Sequence, residues 1–148
     1  MSKVLIVYGS TTGKTAALAE MLGAQLTRAG HSVTVLDAAN VTASGLCDGY
    51  DAVLFGCSAW GTDDVELQDD FQELFDNFDE LAIKDVKTAC FATGDSTFTH
   101  FCGAVDVIEG RLRELGSRQI AEGLRIDGEV TGNEDEIQAW AANVARAL

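Results

Sequence analysis

Lys3-Val4-Leu5-Ile6-Val7-Tyr8-Gly9-Ser10-Thr11-Thr12-Gly13-Lys14-Thr15 is the stretch that decides the fold. Residues 4–8 are apolar without a break, the composition of a strand covered on both faces rather than half exposed. Residues 9–13 form a hydroxyl-rich turn. Beyond it Leu18, Met21, Leu22 and Leu26 recur at i, i+3, i+4 and i+8, a helical stripe that Gly30 ends.

The same alternation repeats outward from this unit. Strand-like runs occupy residues 32–36, 52–57 and 87–93, and a weaker one lies between 119 and 126. Leu67, Phe71, Leu74, Phe75 and Phe78 make a second helical stripe; Val105, Ile108, Leu112 and Leu115, closed by Gly116, make a third; Ile137, Trp140, Ala141, Val144 and Leu148 make the last. Repeated strand–helix alternation predicts an α/β protein, a doubly wound parallel sheet with helices on both faces. No linker or low-complexity break divides it, so residues 1–148 read as one domain. Such sheets bind ligands outside the carboxyl ends of their strands, at the switch point. The loops after the first, third and fourth strands are therefore the ones to read.

Composition narrows the function. Hydrophobic residues make up 47% and run the whole length, which argues against disorder. The apolar run at the N-terminus is too short for a secretory core or a membrane span, so the reading is a soluble cytoplasmic protein. Net charge is −14, from 24 acids against 10 bases, and a nucleic-acid backbone would repel such a chain. Cys47, Cys57, Cys90 and Cys102 contain no C-x-x-C pair and no histidine at ligand spacing, which excludes zinc, iron–sulfur and thioredoxin-type chemistry. Cys57 and Cys90 sit in strand-like runs, where the thiol packs as a small hydrophobe.

In the first loop, Ser10, Thr11, Thr12 and Thr15 place four hydroxyls within six positions around Gly13, at the amides of a helix N-terminus. That combination binds phosphate, although a well-capped helix uses the same residues. A triphosphatase P-loop needs four residues between its glycines; Gly9 and Gly13 have three, and Tyr8 holds the required glycine position. No G-x-G occurs, so the dinucleotide fingerprint is absent, and Asp37 reads as a strand-end cap or a surface group. A receiver domain would need an acidic cluster after strand one and an aspartate after strand three, where the chain has Tyr8-Gly9-Ser10 and Cys57-Ser58-Ala59.

The third strand runs into Cys57-Ser58-Ala59-Trp60-Gly61-Thr62-Asp63-Asp64, and the fourth into Thr93-Gly94-Asp95-Ser96-Thr97-Phe98-Thr99-His100-Phe101-Cys102-Gly103. Two aromatic-bearing loops beside a phosphate loop describe a clamp for a flat, phosphorylated heterocycle, since aromatic rings stack on planar π-systems for about 1 kcal/mol per contact.

Ser-Thr-Thr-Gly-x-Thr at 10–15, Gly-Cys-Ser-x-Trp-Gly at 56–61, Glu-Leu-Gln-Asp-Asp-Phe at 66–71, Gly-Asp-Ser at 94–96 and Phe-Cys-Gly-Ala-Val-Asp at 101–106 together resemble short-chain flavodoxins of the type found in sulfate-reducing bacteria. The resemblance covers essentially the whole chain. It implies the flavodoxin-like five-stranded sheet of order 2-1-3-4-5 and one non-covalently bound flavin mononucleotide (FMN). Ser10, Thr11, Thr12, Gly13, Lys14 and Thr15 would surround the phosphate, with Ser58 helping. Trp60 and Phe98 would cover the two faces of the ring. Backbone groups of Gly61, Asp95 and Cys102 would bind its polar edge, and Ala59, Thr93 and Gly94 would complete the two loops. In the family the peptide after the tryptophan, here 61–62, can flip on one-electron reduction, which glycine permits.

Two departures stand out. The family commonly has tyrosine where this chain has Phe98, and asparagine where it has Lys14. Lys14 either tightens phosphate binding and eases formation of the anionic reduced flavin, or points into solvent. His31 and His100 read as surface residues.

The implied function is low-potential one-electron transfer, cycling mainly between semiquinone and hydroquinone. The protein would be a carrier and not an enzyme, an FMN-dependent reductase being the alternative. Residues 62–80 contain nine Asp or Glu and no Lys or Arg. Asp63, Asp64, Glu66, Asp69 and Asp70 could tune the flavin and dock transient redox partner proteins with basic surfaces. No nucleic-acid or membrane partner is expected, and the chain is expected to be a monomer.

Overall fold

Alternate side chains of the central strands face opposite ways, and this period of two divides the core into two halves. The computed structural model describes residues 2–10, 13–60, 66–94 and 102–148, and at 59, 60 and 66 the backbone alone. In chain order the elements are β1 (Lys3–Gly9), α1 (Lys14–Arg28), β2 (Ser32–Asp37), β3 (Ala52–Cys57), β4 (Ala59–Trp60), β5 (Glu66–Leu67), α2 (Asp69–Phe75), β6 (Lys87–Gly94), α3 (Gly103–Glu114), β7 (Arg118–Gln119), β8 (Leu124–Asp127) and α4 (Glu134–Ala147).

The main sheet is parallel throughout, in the order β2-β1-β3-β6, with β7 and β8 both paired to the outer edge of β6. This is the expected order 2-1-3-4-5, its fifth position filled by two short pieces. Val4, Ile6, Leu54, Ala89 and Phe91 pack under Leu18, Leu22 and Leu26 of α1 and Ile137, Ala141 and Val144 of α4. Leu5, Val7, Val53, Phe55, Cys90 and Ala92 pack against Phe71 and Leu74 of α2 and Val105, Ile108 and Leu112 of α3. The unbroken apolar runs read from the sequence are buried on both faces because helices cover both.

Two expectations need correction. The stripe from Leu67 to Phe78 is not one helix. Leu67 lies in β5, α2 covers only Asp69–Phe75, and Phe78 opens a single turn of 3-10 helix. The Gln68 side chain sets the helix start, its Oε1 accepting from the Phe71 amide at 3.1 Å. Phe55, Phe71 and Phe78 still meet, with ring centroids 5.2 to 6.3 Å apart, so the apolar spacing served packing without requiring one continuous helix.

The weak last strand is interrupted. From Lys87 to Phe91 β6 advances four positions, while its partner advances six, from Arg118 to Leu124. Polar side chains satisfy the bulged backbone. Trp140 Nε1 donates to the Glu122 carbonyl at 2.7 Å, and Gln119 Nε2 donates to the Ala121 carbonyl at 3.1 Å and to Glu109 Oε2 at 2.8 Å. Among the described residues no helix is long and apolar enough to cross a membrane.

Candidate functional site

The carboxyl ends of β1, β3 and β6 lie side by side, because Gly9 is registered with Cys57 and Gly56 with Phe91. The Ser58 amide donates to the Gly9 carbonyl at 3.2 Å, which carries the first and third loops away from the sheet together. The fourth loop is tied in by side chains. Thr15 Oγ1 of α1 and Thr93 Oγ1 of β6 are 2.8 Å apart and buried.

The first loop is built to turn the chain into a helix without using up its donors. Gly13 adopts φ 88°, a left-handed conformation that glycine accepts without a Cβ penalty. Its amide donates to Ser10 Oγ at 3.0 Å, so the Ser10 hydroxyl accepts from the protein and keeps its own proton to give. Among the described residues no side chain caps α1, so the helix start brings amide donors and the positive end of its dipole to this edge. Lys14 is the exposed first residue of α1.

Ser58 is the residue that tests whether this edge fits an anion. Its backbone is fully engaged: the amide binds Gly9, and the carbonyl accepts from the Gln68 amide at 2.9 Å and from the Cys57 thiol at 3.0 Å. Its Oγ is buried, and among the described residues it has no hydrogen-bond partner. A buried hydroxyl without a partner costs about 1–3 kcal/mol. Together with the amides at the start of α1, this hydroxyl fits an anion that only accepts, such as a phosphate.

Trp60 and Ala59 are placed by their backbones. They form β4, which runs antiparallel to β5 with Ala59 opposite Leu67 and Trp60 opposite Glu66, a short ribbon leaving the end of β3. Gly94 ends β6 opposite Asp127, and its carbonyl accepts from the Gly128 amide at 2.8 Å. Cys102 precedes α3 with φ 50°, unusual for a residue with a side chain, and its carbonyl accepts from Arg125 Nη1 at 3.1 Å. Arg125 is held in turn by Asp106, 2.5 Å from Nη2. Burial pushes the Cys102 thiol up to about 11, so it is a neutral packing group. Thr11, Thr12, Gly61, Asp95, Phe98 and His100 lie outside the described residues, as do Asp63 and Asp64.

Three residues at this edge were not among those read from the sequence. Gln68 is buried and joins α2 to Ser58. Gly9 is a close-approach point, since a Cβ there would sit 2.5 Å from Gln68 Oε1 and 2.7 Å from Phe71 Cβ. Arg125 fixes the Cys102 carbonyl. Only Gln68 left a signal, as a polar residue just before an acidic helix start. Asp37 caps the turn after β2, its Oδ1 accepting from the Ala39 amide at 2.9 Å, which bears out the strand-end cap. His31 lies far from the site, its Nδ1 accepting from the Ser2 amide at 3.1 Å.

The exposed face of α2 and the turn after it carries Asp69, Asp70, Glu73, Asp76, Asp79 and Glu80. A cleft of about 430 Å³ separates this face from the segment after β2 and is lined by Val41, Ala43, Asp70, Glu73 and Leu74 among others. None of its lining residues is one expected to hold a ligand. Among the described residues no cluster could hold a metal ion.

Comparison with known proteins gives a consistent result. The sequence model of the family described as Flavodoxin matches residues 6–140. The chain is 52% identical to the flavodoxin of Nitratidesulfovibrio vulgaris (strain Miyazaki F), over the whole of both chains. It is 44% identical to the flavodoxin of Maridesulfovibrio salexigens, over 98% of each. Its fold superimposes on the crystal structure of oxidised flavodoxin 1 from Bacillus cereus with a TM-score of 0.90, covering 99% of each chain at 26% identity.

Proposed function

The chain belongs to the flavodoxin family, whose members bind FMN and carry electrons rather than catalyse reactions, and from that premise we propose that it is a low-potential one-electron carrier holding one FMN non-covalently. The observation that carries the proposal is the buried Ser58 hydroxyl, which has no hydrogen-bond partner among the described residues and stands on the loop tied at its base to the one that leads into α1. When bound, FMN would supply the one-electron redox chemistry.

The chain's own residues bind, orient and tune. Ser10, Thr11, Thr12, Gly13, Lys14, Thr15 and Ser58 would hold the phosphate; Trp60 and Phe98 would cover the two ring faces. Gly61, Asp95 and Cys102 would hold the ring's polar edge through backbone groups, and Ala59, Thr93 and Gly94 would complete the two loops. Carboxylates along residues 62–80 disfavour added negative charge and hold the second reduction at low potential. The acidic face of α2 docks transient redox partners with basic surfaces. With Trp60 and Phe98 as the residues that would take the two ring faces, neither face would be left to a substrate, which would favour a carrier over an FMN-dependent reductase. We read residues 1–148 as one domain, monomeric and cytoplasmic, a setting that four free buried thiols fit.

The test is an anaerobic reductive titration followed by visible absorption. A long-wavelength band of neutral one-electron-reduced flavin, stable before full reduction, supports the carrier. Passage straight to the two-electron form moves the assignment to a reductase, and a colourless protein that FMN cannot reconstitute overturns it. Lys14→Asn tests the basic residue: weaker FMN affinity and a lower second potential are expected, and no change in either means that Lys14 serves only the solvent-facing surface.

A further inference from the structure

We infer that Thr93 is a positioning residue for phosphate recognition: its hydroxyl donates to Thr15 Oγ1, so that the Thr15 proton is turned outward to the phosphate. The inference rests on the reading of the first loop as the phosphate site. It assigns Thr93 to Thr15 instead of to the ligand.

Thr15, Gln68, Thr88 and Thr93 are the buried polar side chains among the described residues, and Thr15 and Thr93 answer one another. Thr93 shares its face of β6 with Ala89 and Phe91, the face that α1 covers, and this parity aims it at the start of α1. Thr15 is 1% exposed and Thr93 6%. At 2.8 Å one of the two hydroxyls donates and the other accepts, so the pair holds one proton between its oxygens and has one to spare.

Where the spare proton sits depends on the direction of the bond. If Thr15 donates to Thr93, Thr15 offers only lone pairs to an anion at the helix start, and these repel it. If Thr93 donates, Thr15 is a donor whose polarity is strengthened by the bond it accepts. A phosphate accepts only, so it selects the second arrangement. Ser10 follows the same rule in the structure, accepting from the Gly13 amide and keeping its proton free. Thr93, as the donor, thus anchors the Thr15 oxygen and makes its remaining proton a stronger donor to the phosphate.

The test measures the affinity of apoprotein for FMN and for riboflavin, which lacks the phosphate, by flavin fluorescence quenching. Urea unfolding of each apoprotein confirms that it folds. Thr93→Val keeps the shape and removes the hydroxyl. It is expected to weaken FMN binding about fivefold, the scale of one neutral hydrogen bond, with the loss confined to the phosphorylated ligand. Thr93→Ser should restore FMN affinity, and Thr93→Val should cost nothing further in a Thr15→Val background. Equal weakening of both ligands, no weakening of either, or failure of the serine variant to recover would overturn the inference. Should the valine variant not fold, Thr93→Ala carries the same comparison. Wild-type protein binding FMN no more tightly than riboflavin would overturn the phosphate-site reading itself. Wild-type discrimination that survives Thr93→Val overturns only the role of Thr93.

Discussion

Replacing Ser58 by alanine should make the apoprotein more stable and the FMN complex weaker, two effects of opposite sign. The Ser58 Oγ has less than 1 Å² of exposed surface and no partner among the described residues. Leaving such a group unsatisfied costs about 1–3 kcal/mol, and losing one oxygen's volume returns a few tenths as a small void. The net expected gain in unfolding free energy is about 1 kcal/mol, or roughly 2–4 °C in Tm at this chain length. With FMN present the same hydroxyl has a charged acceptor, and such a bond contributes about 1.5–3 kcal/mol. The dissociation constant should therefore rise roughly 10- to 100-fold, with a smaller loss for riboflavin. Urea unfolding of the apoproteins and fluorescence titration with both flavins read the two quantities separately. Ser58→Ala that destabilises the apoprotein would show that the hydroxyl is already satisfied. Unchanged FMN affinity would remove Ser58 from the phosphate site.

Other predictions follow from packing and charge. Gly56→Ala should destabilise the protein by more than about 2 kcal/mol, because its Cβ would lie 2.0 Å from the Phe91 ring between two central strands; urea midpoints check this. Burial raises the Cys47 and Cys57 thiols from an ordinary 9.0 to about 12, and Cys102 to about 11. Above pH 9 the unfolded chain loses thiol protons that the folded chain keeps, so stability should be full below that pH and fall from about 9 to about 12. Denaturant midpoints across that window test the sign, and native-state alkylation should be slow until unfolding. Charge reversal at Asp69, Asp70 and Glu73 should slow reduction by a basic electron-transfer protein and flatten the dependence of its rate on salt. Rates equal to wild type at low ionic strength would move the docking face elsewhere.

Arg125 shows how little some site residues announce themselves. In sequence it is one base in an acidic chain, yet its guanidinium joins the Cys102 carbonyl to Asp106 and so supports a left-handed residue at the start of α3. Thr93 is another case. Its place at the end of a strand run was legible, but its pairing with Thr15, 78 positions away, was not. Long-range hydroxyl pairs leave no period in a sequence, because their geometry is set by which strands become neighbours.

The sequence by itself determined the strand–helix alternation, the two-sided burial of the central strands and the hydroxyl loop before α1. These follow from local periodicity and composition, which act over a few residues. The motif combination added the family. Tertiary structure alone decided that α2 stops at Phe75, that the last strand breaks into two pieces, and that Gln68, Gly9 and Arg125 buttress the site. The reason is physical: a helix end or a bulge is settled by which distant backbone and side-chain groups are there to satisfy its donors and acceptors, and that is fixed only when the sheet is assembled.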